Sequence, residues 1–301
     1  MIRFTAEQKV ANVAGIEVGG QPGERPTALI GSIFFSGHKI VHDSLKGTFD
    51  HEKARVLLDQ ADEAAARTGN PHLVDVIGDT GPALINYLEF VAEHTDAPLL
   101  VDSFSQKVRL EAVRHFAGTE VATRLVYNSI AEDYTEEELA CLCECGVKSA
   151  VIMAFSTAQP RPKQRVKLLV DELLPAAARA GIDQVVVDLG VLDIPSIGWT
   201  ALAIHEIKET LGYPCGCAPS NALFTWEKLR AQGSPAFEAT AAATLAFTQC
   251  SGADWVHYGP IRNAPWVCSA VAAVDAMRAY GGRFSGVRPV SDLHPLYRIF
   301  G

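Results

Sequence analysis

The sequence predicts a (β/α)8 barrel. Three observations carry that expectation: eight short apolar runs alternate with eight stretches of helical spacing, the apolar runs are continuous and do not alternate, and four of them end on Asp, Asn or Ser-Asn. Continuous apolar strands belong to a parallel sheet covered on both faces. Eight strand–helix units in order close such a sheet into a barrel. A doubly wound open sheet is the competing topology, but no Gly-x-Gly-x-x-Gly follows the first strand.

Residues 5–20 come first. Val10, Val13, Ile16 and Val18 flank Gly15, and Gly19-Gly20 ends the stretch, which predicts a short β-hairpin closing one end of the fold. Residues 21–26 form a Pro- and Gly-bearing loop. Strands are predicted at 28–35, 72–78, 98–103, 124–129, 150–155, 184–189, 214–220 and 254–259. Helices are predicted at 50–68, 82–94, 106–116, 135–145, 164–180, 196–211, 236–250 and 265–280, with an extra one at 224–232. In the first of these, Ala54, Leu57, Leu58, Ala61 and Ala65 keep to one face. Thr135 followed by Glu138 is a capping-box pattern, and Gly69, Gly146, Gly181, Gly212 and Gly252 stand where helices end. Nothing resembles a linker, so one domain over residues 1–301 is expected.

Composition narrows the class. With 48% hydrophobic and 20% charged residues the chain has material for a large core. A net charge of −9 disfavours nucleic acid as a partner. No apolar run approaches the roughly 20 residues of a spanning helix, so no membrane insertion and a cytoplasmic location are expected. Seven scattered cysteines do not form a disulfide framework. Cys141, Cys143 and Cys145 look like metal ligands on paper, yet on a helix 141 and 145 share a face that 143 does not. Cys215 and Cys217 fall on one side of a strand and read as core, so no directly bound metal is expected. His205 and Glu206 lie inside a helix and read as surface, and Trp199, Trp226 and Trp255 as packing.

In a (β/α)8 barrel the strand ends and the loops after them form the active face. That makes Asp102, Asn128, Asp188 and Asn221 convergent, with Ser220 beside Asn221, Asp75 and Asp79 after the second strand and His38 after the first. A carboxylate accepts two parallel hydrogen bonds from an N–H/NH2 pair, and a carboxamide supplies a donor and an acceptor. A 2-amino-4-oxopyrimidine ring, as in a pterin, is the complement. The competing reading is that Asp or Asn after a strand caps the next helix. Ser103 and Ser105 offer alternative caps beside Asp102, and Asp188 lies several residues ahead of any helix. Arg262, after the eighth strand, could meet a ligand's anionic tail or stand on the rim.

Seven stretches, GGQPGE at 19–24, GSIFF at 31–35, HKIV at 38–41, GN at 69–70, LVDS at 100–103, VYNS at 126–129 and YGPI at 258–261, give the chain a family likeness over almost its whole length. It resembles the MtrH family, which belongs to the methyl-tetrahydromethanopterin:coenzyme M methyltransferases, and more particularly its bacterial relatives that act as methyltetrahydrofolate:corrinoid-protein methyltransferases. The resemblance implies methyl transfer between N5 of tetrahydrofolate and the cobalt of a corrinoid (cobalamin), as the second methyltransferase of a demethylation system. It further implies Asp102, Asn128 and Asp188 on the pterin ring and Asn221 of the Ser220–Asn221 pair at N5, with Asp188 and water completing a proton path. Ala218-Pro219 before that pair departs from the wider methyltetrahydrofolate methyltransferases. No Asp-x-His-x-x-Gly corrinoid motif is present, so the corrinoid is expected on a partner protein, with the chain itself a homodimer. A tetrahydromethanopterin-specific methyltransferase and a non-catalytic pterin-binding component of a methyltransferase complex are the alternatives. Dihydropteroate synthase uses a similar barrel, but its diphosphate-binding Lys/Arg set and Gly-rich first loop are not found.

Overall fold

The computed structural model describes residues 3–158 and 160–300. An antiparallel hairpin, β1 (Val10–Val13) and β2 (Ile16–Gly19), precedes the first barrel strand, β3 (Ala28–Ile33). A second small hairpin, β4 (Val41–Asp43) and β5 (Thr48–Phe49), leads into α1 (His51–Thr68). Strand and helix then alternate: β6 (His72–Ile77), α2 (Gly81–His94), β7 (Leu99–Asp102), α3 (Gln106–Phe116), β8 (Leu125–Ile130), α4 (Glu136–Glu144) and β9 (Ser149–Met153). After β9 come α5 (Pro162–Leu168), a π turn, α6 (Leu174–Arg179), β10 (Gln184–Asp188), α7 (Ile197–Thr210) and β11 (Cys215–Cys217). The chain closes with α8 (Pro219–Thr225), α9 (Glu227–Arg230), α10 (Ser234–Cys250), β12 (Trp255–Pro260), α11 (Ala264–Gly282) and α12 (Pro295–Arg298).

The eight strands β3, β6, β7, β8, β9, β10, β11 and β12 pair in that order and close into a barrel. Every pairing within it is parallel. The (β/α)8 architecture and the N-terminal hairpin thus agree with the sequence reading. Three details do not. The predicted helix at 164–180 is broken by the π turn at Leu169–Leu173, next to Pro175, which has no N–H to continue the ladder. The predicted strand at 214–220 is only Cys215–Cys217, so Ser220 and Asn221 start α8. The β4–β5 hairpin has no counterpart in the sequence reading.

Because successive side chains on a strand point to opposite faces, the barrel interior is built in layers two residues apart. The lower layer is apolar: Ile30, Leu73, Leu100, Val126, Val151, Val186 and Trp255 pack together and are capped by Ala11, Val13 and Val18 of the N-terminal hairpin. Room for the Trp255 indole comes from Gly216, where a Cβ would lie 2.6 Å from the ring. The second core lies between strands and helices and takes in Cys215 and Cys217, both fully buried. Trp255 is 2% exposed, as a packing residue should be, but Trp199 and Trp226 are 49% and 39% exposed and belong to the surface. His205 is exposed, in agreement with expectation.

Buried polar clusters tie the ends of the barrel. Lys208 Nζ donates to both Asp254 carboxylate oxygens (2.9 and 2.8 Å) and to the carbonyl of Gly20 (3.0 Å), joining α7, β12 and the N-terminal segment. Thr135 caps α4 by accepting the Glu138 N–H at 3.1 Å, but Glu138 turns inward to the barrel wall and does not complete the capping box. Gly69, with φ of 83°, ends α1 against the carbonyl of Leu293, which a Cβ at that position would overlap.

Candidate active site

Two residues further along each strand the interior turns polar. The upper layer holds Ser32 on β3, Asp75 on β6, Asp102 on β7, Asn128 on β8, Met153 on β9, Asp188 on β10 and His257 on β12, all on strands of the closed barrel. Ladder neighbours within the layer are Ser32 and Asp75, Asp102 and Asn128, and Met153 and Asp188. Elsewhere the stagger of the barrel sets an upper residue beside a lower one, Asp75 beside Leu100, Asn128 beside Val151 and His257 beside Ile30. The layer beneath gives these groups an apolar floor.

Asp75 sits at the centre. Its Oδ1 accepts from Asn128 Nδ2 at 3.4 Å, and its Oδ2 lies 3.0 Å from His257 Nε2. The same nitrogen is 3.1 Å from Ser32 Oγ. Gly259 N–H donates to His257 Nδ1 at 3.3 Å, which leaves the imidazole proton on Nε2, aimed at Asp75. Ser220 Oγ is 3.5 Å from His257 Nδ1 and donates to the His257 carbonyl at 3.2 Å. The layer is therefore a connected polar network and not a set of separate caps.

Two carboxyl groups in it are held away from their ordinary state. Burial, and then the charge of Asp75, push Asp102 well above the usual carboxylate range; the Arg109 guanidinium pulls the other way. Burial raises Asp188 to about 6, opposed by the Gly190 N–H, His257 and Arg165. That N–H reaches Asp188 Oδ1 at 2.8 Å. Arg165, itself buried, fixes the turn by bonding the carbonyl of Leu189 and Thr200 Oγ1 (3.0 Å). Arg109 does the same for the neighbouring strand ends, donating to Ser103 O at 2.6 Å and Tyr127 Oη at 3.0 Å and pairing with buried Glu138 at 3.3 Å.

Of the residues singled out in the sequence, Asp75, Asp102, Asn128 and Asp188 meet in one layer, and buried Ser220 reaches it through His257. Helix capping does not explain the acids: Ser105 stands at the N-cap of α3, and Asp188 bonds its own turn. Asn221 is exposed on the first turn of α8, above the layer and not in it. His38 is elsewhere: it is buried, and its Nδ1 accepts the Phe34 N–H at 3.1 Å. Burial, with the Arg262 charge second, lowers it to about 4. Arg262 is exposed beyond β12. Sequence reasoning missed Ser32 and His257. The pleat of their strands carried the signal, since each stands two residues beyond an inward apolar side chain, Ile30 and Trp255. Cys141 and Cys145 share a helix face, their Sγ atoms 4.0 Å apart, while Cys143 is exposed. Among the described residues no cluster of three or more His, Cys, Asp or Glu is placed to hold a metal ion.

A polar constellation at the strand ends of a closed (β/α)8 barrel defines a barrel-mouth enzyme site. The same fold occurs in dihydropteroate synthases. The Xanthomonas albilineans enzyme in complex with 7,8-dihydropteroate matches 90% of this chain and 98% of its own, with TM-score 0.63 and 20% identity. A Yersinia pestis dihydropteroate synthase matches 90% of this chain and 99% of its own, with TM-score 0.63 and 16% identity. The sequence is more particular. A model of the tetrahydromethanopterin S-methyltransferase MtrH subunit matches residues 6–290. The corresponding tetrahydromethanopterin S-methyltransferase subunit of Methanopyrus kandleri is 36% identical over 96% of both chains. Those of Methanothermobacter thermautotrophicus and Methanocaldococcus jannaschii are 34% and 35% identical, each over 99% of this chain and 100% of its own. The chain belongs to the MtrH family of methyltransferases.

Proposed function

We propose that the chain moves a methyl group between N5 of tetrahydrofolate and the cobalt of a corrinoid carried by a partner protein. The observation that carries this reading is the upper barrel layer, where three carboxyl groups and a carboxamide converge above an apolar floor. Asp102, Asn128 and Asp188 would take the amino–oxo edge of the pterin, one carboxylate accepting the paired N3–H and 2-amino donors and Asn128 supplying a donor and an acceptor. Asn221 and Ser220 would face N5. Toward folate, the N5 lone pair forms the new N–C bond as the cobalt–carbon bond breaks, its electron pair stays on cobalt, and N5 then loses its proton. In reverse, N5 keeps the electrons of the broken N–C bond and takes up a proton. Asn221 would hydrogen-bond N5 in either state, and Asp188, raised to about 6, would exchange the proton through water. The protein's contribution is orientation and a preorganised polar environment, while the corrinoid brings the reactive centre.

A second reading takes tetrahydromethanopterin as the pterin, favoured by the names of the relatives at 33–36% identity. A third, that the chain binds pterin without catalysis inside a larger assembly, rests on their being named as subunits. We also propose a homodimer; exposed Trp199 and Leu202 on α7 and Phe247 on α10 offer apolar surface for it, and sedimentation equilibrium reads the mass directly. The deciding experiment mixes purified protein with methylcobalamin and each pterin and follows cob(I)alamin formation by absorbance. Cob(I)alamin with tetrahydrofolate supports the first reading. Cob(I)alamin with tetrahydromethanopterin alone supports the second, and none with either pterin, even on a cognate corrinoid protein, leaves the third.

A further inference from the structure

Outside the polar layer the active face holds a concavity. It has a volume of about 550 Å3 and lies between the loop after β3, the first turns of α1, and Arg262 beyond β12. Its apolar wall includes Phe35, Ile40 and Val56. Its charges are unequal in availability. Lys53 is held by Asp50 at 2.7 Å and Glu52 by Arg55 at 2.6 Å. Lys39 and Arg262 are exposed, and no ion pair engages either among the described residues. The cavity thus combines an apolar wall with two free cations, in a chain whose net charge is −9.

Its position in the ring matters as much as its chemistry. The strands carrying Asp102, Asn128 and Asp188 are β7, β8 and β10, and in the closed order the seam between β12 and β3 stands diametrically opposite them. The cavity lies outside that seam. A pterin bound by its amino–oxo edge at β7, β8 and β10 points its pyrazine half across the barrel. The C6 substituent then leaves over β12 and β3.

We infer that this cavity is the subsite for the C6 arm of the pterin, taking an aryl ring against Phe35, Ile40 and Val56 and a terminal anion on Lys39 and Arg262. The inference rests on the pterin reading of the polar layer. It adds that recognition depends on the arm as well as the ring, and that the anion is met by two side chains far from the reacting nitrogen. Carboxylate and phosphate are the two anion types such arms carry, and both suit a guanidinium fork and an ammonium.

The test is calorimetric titration with tetrahydrofolate, with tetrahydromethanopterin and with 6-methyltetrahydropterin, which has the ring and no arm. Two charge-assisted contacts correspond to an affinity gain on the order of 100-fold. The expected result is that the wild-type protein prefers an armed pterin over 6-methyltetrahydropterin by that order. The Lys39→Ser/Arg262→Ser variant should lose most of the preference and keep its affinity for 6-methyltetrahydropterin. A loss with tetrahydrofolate, whose arm anions are carboxylates only, shows that the two cations take a carboxylate. Equal wild-type affinities for armed and armless ligands would overturn the arm subsite while leaving the ring site intact, as would a variant that weakens armed and armless binding alike. Failure of all three pterins to bind would remove the pterin reading itself, and this inference with it.

Discussion

Asp188 shows how one residue trades stability for readiness. Its pKa is raised from an ordinary 3.8 to about 6 by burial, so the folded state holds the proton more tightly than the unfolded chain does. The contribution is favourable below the unfolded value and is lost as pH rises through about 6, so above that pH ionised Asp188 costs roughly 2–3 kcal/mol. Asp188→Asn should therefore stabilise the ligand-free protein at neutral pH, read as a higher denaturation midpoint, while weakening pterin binding. An unchanged midpoint would mean that Asp188 is hydrated in the folded state. In the wild type, binding an N–H donor pair requires the carboxylate, so pterin affinity should rise as pH increases through about 6, where Asp188 ionises. The proposed roles within the site would separate kinetically. Asn221→Ala should lower turnover far more than affinity, whereas Asp102→Ala should weaken binding by roughly 10–100-fold through loss of its hydrogen bonds to the ring; equal losses of affinity in both variants would contradict the assignment. The acids were legible because a carboxylate ending an apolar strand is conspicuous. His257 and Ser32 were not, because a histidine and a serine in a strand are ordinary until the pleat is counted from Trp255 and Ile30.

At the scale of elements, the units legible in the sequence are those whose geometry is set locally. Long helices with one apolar face and continuous strands were placed to within a few residues. The β4–β5 hairpin escaped because strands of two and three residues show no alternation; Asp43 makes the turn by accepting the Leu45 and Lys46 N–H groups, both at 3.1 Å. The short β11 escaped for another reason. Ala218-Pro219 starts a helix, since proline fits its first turn and cannot continue a ladder, and Asn221 moved from a strand end to a helix surface. Tertiary ties between elements left no local trace at all. The Lys208–Asp254 pair, with Lys208 fully buried, holds α7, β12 and the segment at Gly20 together. Lys208→Met removes the cation and leaves a buried carboxylate, which should destabilise the fold by about 3–5 kcal/mol. Urea denaturation measures it, and a loss below about 1 kcal/mol, the range of a surface pair, would show that water reaches Asp254.

Over the whole molecule, closure of the sheet turns a list of strand ends into a site. The sequence places Asp75, Asp102, Asn128 and Asp188 up to 113 positions apart, and only the barrel brings them into one layer. The apolar layer beneath and the hairpin against it close that layer from below, so a planar ligand would enter from the side of the strand ends. None of the described helices is long and apolar enough to cross a membrane. The central claim is that the upper layer receives a pterin ring. Calorimetric titration of the wild-type protein and Asp102→Ala with tetrahydrofolate is the most direct measurement. The account expects a saturable, one-site isotherm for the wild type, tightening as pH rises through about 6, and an affinity lower by roughly 10–100-fold for Asp102→Ala. Wild-type binding that Asp102→Ala leaves unchanged would contradict it.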